Sequence, residues 1–367
     1  MSQPTAPGGP GILPAQAIRA LIEANRIRLS EPVASGQVQP ASLDLRLGRV
    51  AYRVRASFLP TPGATLDSKL GELSLHTIDI SGGAVLETGC VYVVPLIEAL
   101  ELPADIAASA NPKSSTGRLD VFTRIIADGV PSFDTIPAGF KGRLYAEICP
   151  QTFPIVVRRG SMLSQIRFRR GNPILDDRAL SELHARQMLV AGGGAADVRG
   201  GIALSVELAG RGSGPIGYRA KRHTGIVDVD RPGACALLDY WEPLSALEDG
   251  RLVLDPDQFY ILASKEAVHV PPDHAAEMMP FNPLVGEFRV HYAGFMDPGF
   301  GHAAAGGAGA RVVLEVRSHK VPFILEDGQI IGRLVYERLL EPPDILYGRD
   351  VGSNYQAQGL KLSKHFR

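Results

Sequence analysis

Val85-Leu86-Glu87 is answered 168 residues later by Val253-Leu254-Asp255, and that spacing decides how the chain is built. The same shift carries Tyr92 onto Tyr260, Pro103-Ala104-Asp105 onto Pro271-Pro272-Asp273, Glu147 onto Glu315, Gly160 onto Gly328 and Phe168 onto Tyr336. Landmarks that hold one offset from residue 85 to residue 168 mark two copies of one fold rather than two unrelated domains. Around them, Cys90-Val-Tyr-Val-Val-Pro95, Gly142-Arg-Leu-Tyr-Ala-Glu-Ile148 and Phe153-Pro-Ile-Val-Val-Arg158 are rich in β-branched and aromatic residues and bounded by Gly and Pro. They read as short strands. Only the middle of the copies differs, where the second carries its extra residues as a small stretch from His302 to Ala310 that reads as flexible.

Working outward, two helices are expected. One runs from Pro14 to Asn25, with Ile18, Leu21 and Ile22 on one side; the other runs from Asp177 to Leu189 and opens on acidic residues. The second leads into Ala191-Gly-Gly-Gly-Ala195, which places a domain boundary near residue 195 and gives units 1–195 and 196–367. With 367 residues, 45% hydrophobic and 21% charged, the chain can bury a core in each unit. Its 40 glycines and 28 prolines favour strands and turns over long helices.

A formal charge of -1 supplies no overall field for nucleic acid or membrane, so phosphate binding has to come from a local site. No apolar run is long enough for a membrane span, and Met1 to Gly11 lacks a signal-peptide pattern. The expectation is a cytoplasmic protein, with Cys90, Cys149 and Cys235 as buried free thiols.

Asn111-Pro-Lys-Ser-Ser-Thr-Gly-Arg118 gathers two serine hydroxyls, a lysine and an arginine around a tight turn, a composition suited to a polyphosphate or to a plain solvated loop. Its counterpart, Phe281-Asn-Pro-Leu-Val-Gly286, has neither cation nor serine pair. The second copy instead carries Ala293-Gly-Phe-Met-Asp-Pro-Gly-Phe300, whose Asp-Pro-Gly marks a turn, and then Val312-Val-Leu-Glu-Val316. A hairpin there brings Asp297 toward Glu315. Inside an apolar strand, Glu315 is either a buried structural carboxylate or one whose pKa is raised for proton transfer. The first copy keeps Glu147, but its hairpin reads Phe133-Asp-Thr-Ile-Pro-Ala-Gly-Phe140. Residues 347–364 form either a frayed tail or a flap that closes over a ligand. Gly212-Ser-Gly-Pro-Ile-Gly217 imitates a dinucleotide fingerprint without a surrounding βαβ pattern. The histidines offer no His-x-Glu and no Cys-x-x-Cys exists, so the zinc-deaminase signature is missing.

Taken together these segments resemble the dCTP deaminase family of the dUTPase-like superfamily, in a tandem, double-length bacterial form. The resemblance rests on Gln39-Pro-Ala-Ser-Leu-Asp-Leu-Arg-Leu-Gly48, Lys113-Ser-Ser-Thr-Gly-Arg118, the Ala293–Phe300 hairpin with Val313-Leu-Glu315, and Tyr347 with Tyr355-Gln-Ala-Gln358 and Ser363. It implies a mainly β chain of two tandem dUTPase-like distorted β-barrel or jelly-roll domains with a few short helices. It also implies a hydrolase that turns dCTP into dUTP and ammonia, without zinc. Sites in the family lie between neighbouring domains, so a homo-oligomer is expected, along with a composite site that joins the first copy's phosphate loop to the second copy's glutamate.

By that resemblance Glu315, with Glu147 as the alternative, moves the protons and Ser114 orients the water. Lys113, Ser115, Thr116, Gly117 and Arg118 hold the triphosphate together with Mg2+. Ala293, Asp297, Val313, Leu314, Tyr347, Tyr355 and Gln358 complete the nucleotide site. Two other readings remain open: release of dUMP by dUTP pyrophosphatase activity, alone or combined with deamination, and a non-catalytic nucleotide-binding regulator.

Overall fold

The structure is a computed structural model that describes residues 9–61, 65–192, 196–210, 214–280, 288–291, 294–318, 320–348, 350 and 359–367. It is mainly β. In the first half, Val50–Val54, Val91–Glu101, Lys141–Pro150 and Val121–Ala127 lie side by side in that order. A second sheet joins Leu43–Arg46 to Met162–Arg170, then Ile106–Pro112 and Thr135–Ile136. The second half repeats both orders. Gly217–Ala220, Phe259–Val268, Ala310–Ser318 and Phe288–His291 form one sheet, and Ile202–Ser205, Ile330–Arg338, His274–Pro280 and Phe295–Met296 the other.

The landmarks behind the 168-residue shift do equivalent work in both copies. The Tyr92 hydroxyl accepts from the Glu87 amide at 3.1 Å, and the Tyr260 hydroxyl accepts from the Asp255 amide at 3.0 Å. Ala84–Leu86 pairs with Ile155–Val157, as Arg251–Leu254 pairs with Phe323–Glu326. Each half builds its core from the facing sides of its two sheets: Leu43, Ile106, Ile166 and Phe168 meet Tyr92, Ile125, Leu144 and Ile148 in the first. In the second, Leu204, Ile331 and Leu334 meet Leu262, Leu314 and Val316.

Helices cover Ala15–Glu23 and Asp177–Gln187, within the two expected spans, and a further one at Leu66–Leu73 caps itself with the Thr65 hydroxyl. Asp176 caps the second helix by accepting from the Ala179 amide, and its Leu180 and Leu183 pack into the second core. No described helix is long and apolar enough to cross a membrane. Cys149 and Cys235 are buried free thiols, whereas Cys90 is half-exposed, against expectation, because it sits at the mouth of its strand rather than within it.

The stretch from His302 to Ala310 is also not the loose insertion expected. It folds as a compact turn around Ala303–Ala305, and the Gly309 amide donates to the Gly301 carbonyl at 2.8 Å. A Cβ on Gly307 would come within 2.4 Å of the Gly301 carbonyl carbon, so here glycine serves close packing rather than freedom.

The halves interlock. Val227–Asp228 adds in parallel to Ile155–Val157, and Arg158 donates to both Asp228 oxygens at 2.7 and 2.8 Å. The chain's last residues return to the first core. Trp241, 0% exposed, meets the Phe153 ring at 5.4 Å and the Phe366 ring at 5.7 Å. Trp241 is the sole tryptophan, and it belongs to the second half while packing in the first half's core. Its fluorescence and far-UV circular dichroism are therefore expected to change in one coincident thermal transition. Two separated transitions would contradict this shared core.

Candidate functional site

A cleft of about 310 Å³ opens between the halves. On one wall, the strand Ile106–Pro112 delivers the chain to a single helical turn at Ser114–Gly117. Three amides are spent making this turn: Thr116 and Gly117 donate to the Lys113 carbonyl, and Arg118 to that of Ser114. The turn thereby presents Lys113, Ser114, Ser115 and Arg118 to the cleft. Thr116 and Gly117, expected beside them, are buried behind the turn that they shape and do not line the opening.

The opposite wall is the hairpin and the strand that follows it. The Phe300 amide donates to the Asp297 carbonyl at 3.1 Å across the Asp-Pro-Gly turn, with Gly299 at a φ of 96° that glycine adopts without strain. Asp297, Val313 and Glu315 line the cleft, whereas Leu314 alternates to the far side and packs in the second core. Tyr347 closes the rim: its amide donates to the Pro298 carbonyl at 3.0 Å and its ring lies 5.8 Å from that of Phe300. Ala293, Tyr355, Gln358 and the segment 281–286 lie outside the described residues.

Glu315 is 4% exposed. Its carboxylate lies 3.8 Å from Arg118 Nε, and Arg118 Nη1 donates to the Lys361 carbonyl at 3.0 Å. Burial pushes the Glu315 pKa up to about 8; the arginine's charge opposes this without prevailing, and Asp120 adds to the rise. The other two carboxylates of the cleft are held by cations, Asp44 by Lys113 and Asp297 by Arg167 at 3.2 Å. Burial raises both of their pKa values, each against the pull of its partner.

Three of these groups were not singled out from the sequence. Asp44 stands in Leu43-Asp-Leu-Arg46, where a carboxylate in a fully buried strand was a usable signal. Lys364 enters the cleft from the tail, its pKa lowered by burial and by the nearby charge of Lys113. The tail is not frayed there, since the Ser363 hydroxyl donates to the Ser115 carbonyl at 2.8 Å. Arg167 carried no local signal. Two lysines, two hydroxyls and an arginine that reaches a buried carboxylate suit an anionic ligand that undergoes proton transfer.

Glu147 has a different setting. It lies outside the cleft, 1% exposed, and one of its oxygens accepts from Arg124 Nη2 at 2.6 Å and Nε at 3.1 Å. The Arg124 guanidinium stacks over Phe133 at 3.5 Å and Phe122 at 4.6 Å. Arg124 thus engages one oxygen of a buried carboxylate away from the cleft. Among the described residues, no group of three His, Cys, Asp or Glu side chains is gathered to hold a metal ion.

Residues 9–172 match the model of the N-terminal domain of 2'-deoxycytidine 5'-triphosphate deaminase, and residues 176–366 that of its C-terminal domain. The chain is similar to a crystal structure of 2'-deoxycytidine 5'-triphosphate deaminase from Agrobacterium tumefaciens. The two are 61% identical with a TM-score of 0.89, covering 94% of this chain and 99% of that one. It is also similar to a dUMP-forming dCTP deaminase from Parafrankia sp., 34% identical over 42% of this chain and 75% of that protein. A dCTP deaminase from Halorubrum lacusprofundi is 30% identical over 36% and 63%.

Because folding raises the Glu315 pKa, the folded chain keeps a proton at pH values where the unfolded chain has lost it. Stability from this group is whole below the ordinary glutamate range and is lost as pH climbs to about 8. Glu315→Gln should therefore gain stability relative to the unaltered protein as pH rises through that window. Chemical denaturation at pH 5 and pH 8.5 measures the difference, and a gap that stays constant would contradict a buried, proton-holding carboxylate.

Proposed function

The chain belongs to the 2'-deoxycytidine 5'-triphosphate deaminase family, and from that premise we propose that its interdomain cleft binds dCTP and releases dUTP and ammonia. Water adds to C4 of the cytosine ring, the C4–N bond breaks and ammonia leaves. Glu315 takes one proton of the water and passes it to ring N3; the second, from the hydroxyl then on C4, passes by way of Glu315 to the departing amine as the C4 carbonyl forms, and Ser114 orients the water. Lys113, Ser115 and Arg118 hold the triphosphate, with Asp297 and Tyr347 on the nucleoside side. The observation that carries this reading is the buried Glu315, raised to about 8, facing the Lys113–Arg118 turn across one cleft. A carboxylate with a pKa near neutrality can both accept and return a proton during one turnover.

Mg2+ belongs to the substrate in this account. Asp44 and Asp297 are already engaged by Lys113 and Arg167, so the side chains present suit a nucleotide that brings its own ion. We read the two matched halves as tandem dUTPase-like distorted β-barrels, joined in a homo-oligomer of the whole chain.

Release of dUMP is the second reading, favoured by the dUMP-forming relatives. Pyrophosphate release needs a second activated water at the phosphate chain, and the carboxylate at that end, Asp44, is bound to Lys113. This favours dUTP as the product. Incubation of the protein with dCTP and Mg2+, with products separated by anion exchange, decides between them: dUTP with ammonia is expected, and dUMP with pyrophosphate would overturn the assignment. In the same assay Glu315→Gln should lose about 100- to 10,000-fold in kcat, while Glu147→Gln retains turnover wherever it folds. The reverse pattern would move the chemistry to the other half.

A further inference from the structure

Arg167 lies on Met162–Arg170 in the first half, is 1% exposed and does not line the cleft. Its guanidinium reaches into the second half with both ends. Nη2 donates to Asp297 Oδ1 at 3.2 Å and to the Met296 carbonyl at 3.3 Å. Nη1 donates to the Ala276 carbonyl at 3.1 Å and to Glu337 at 3.0 Å. Phe295 covers the guanidinium face at 4.1 Å. One planar fork thus holds the hairpin's backbone, its carboxylate and the strand on which the hairpin pairs, a geometry that a lysine ammonium cannot reproduce.

The duplication supplies an internal comparison. Ser109 stands opposite Arg167 as Glu277 stands opposite Val335, so Val335 is the counterpart of Arg167. Ala108 stands opposite Ile136 as Ala276 stands opposite Met296, which makes Pro137 the counterpart of Asp297. The arginine of the first copy and the hairpin carboxylate of the second meet behind the cleft that holds the phosphate-type turn, whereas the reverse combination would offer Val335 and Pro137. They behave as one unit that accompanies the complete site.

We propose that Arg167 is a positioning residue: from the first half it sets the second half's hairpin, and with it Asp297, at the height where the nucleoside is held. It acts through Asp297 and the hairpin backbone, not by touching the substrate. The proposal rests on the reading that this cleft takes a pyrimidine nucleotide. Its particular consequence is selectivity along the ligand, because losing the arginine should disturb the nucleoside end and leave the phosphate grip of the Lys113–Arg118 turn intact.

Full-length Arg167→Met and Arg167→Lys test this. Binding is measured by calorimetry in a Glu315→Gln background, with Mg2+-dCTP and with Mg2+-tripolyphosphate, and kcat and KM are measured with Glu315 present. Arg167→Met should lose about 100-fold in kcat/KM and bind dCTP correspondingly less well, with tripolyphosphate affinity unchanged. Arg167→Lys, which keeps the charge without the fork, should fall between. Unaltered dCTP binding, or equal loss of both ligands, would overturn the proposal and leave Arg167 a structural pair. Should the Met variant not fold, the same selectivity in the Lys variant decides in the same way. A protein that releases no ammonia from dCTP even with Arg167 intact would instead sink the functional reading beneath it.

Discussion

A carboxylate from one half of the chain and a guanidinium from the other meet at the cleft, both buried, Glu315 against Arg118 at 3.8 Å. Burying a carboxylate is costly, and the usual remedy is a close, bidentate cation. Here the cation is near enough to moderate the cost and too far to remove it, so the pKa rises to about 8. That balance needs both halves to be held in register. The parallel addition of Val227–Asp228, the Arg158 ion pairs and the return of the tail to the Phe153–Trp241 cluster serve that end. Had the halves been joined only by a linker, the separation of Glu315 from Arg118 would not be defined.

The two copies show one fold used twice with different surroundings for the same residue type. Glu147 sits at the position equivalent to Glu315, yet Arg124 holds it at 2.6 Å and is itself pinned between Phe122 and Phe133. The same residue type at the same strand position is thus a close ion-pair partner in one copy and a carboxyl with a raised pKa in the other. The turn at Ser114–Gly117 and the hairpin at Phe295–Pro298 come from different copies, so neither half contains the arrangement by itself.

Much of this was legible in the residues. The 168-residue shift and the β-branched runs carried the duplicated β architecture, because strand propensity and turn chemistry are local. Lys113, Ser114, Ser115, Arg118, Asp297, Glu315 and Tyr347 were read from the sequence as candidates, and the fold brings them together in the cleft. Thr116 and Gly117 were readable as part of the motif but not as its scaffold, since only hydrogen bonding separates the two roles. The His302–Ala310 stretch read as loose because small residues serve equally for freedom and for close approach. Arg167 was invisible, for its partners lie far away in the chain and no spacing rule links an arginine on a strand to a carboxylate on a distant hairpin; Lys364 lay within the stretch read as tail or flap without standing out from it. Asp44 stood in between, a charged residue in a fully buried strand that could have been suspected.

The most direct test of the composite cleft is a crystal structure of the Glu315→Gln protein soaked with dCTP and Mg2+. The account predicts one nucleotide with its triphosphate on Lys113, Ser115 and Arg118 and C4 of its ring against residue 315 of the same chain. A triphosphate bound away from residues 113–118, or a cytosine ring lying against Glu147, would contradict it.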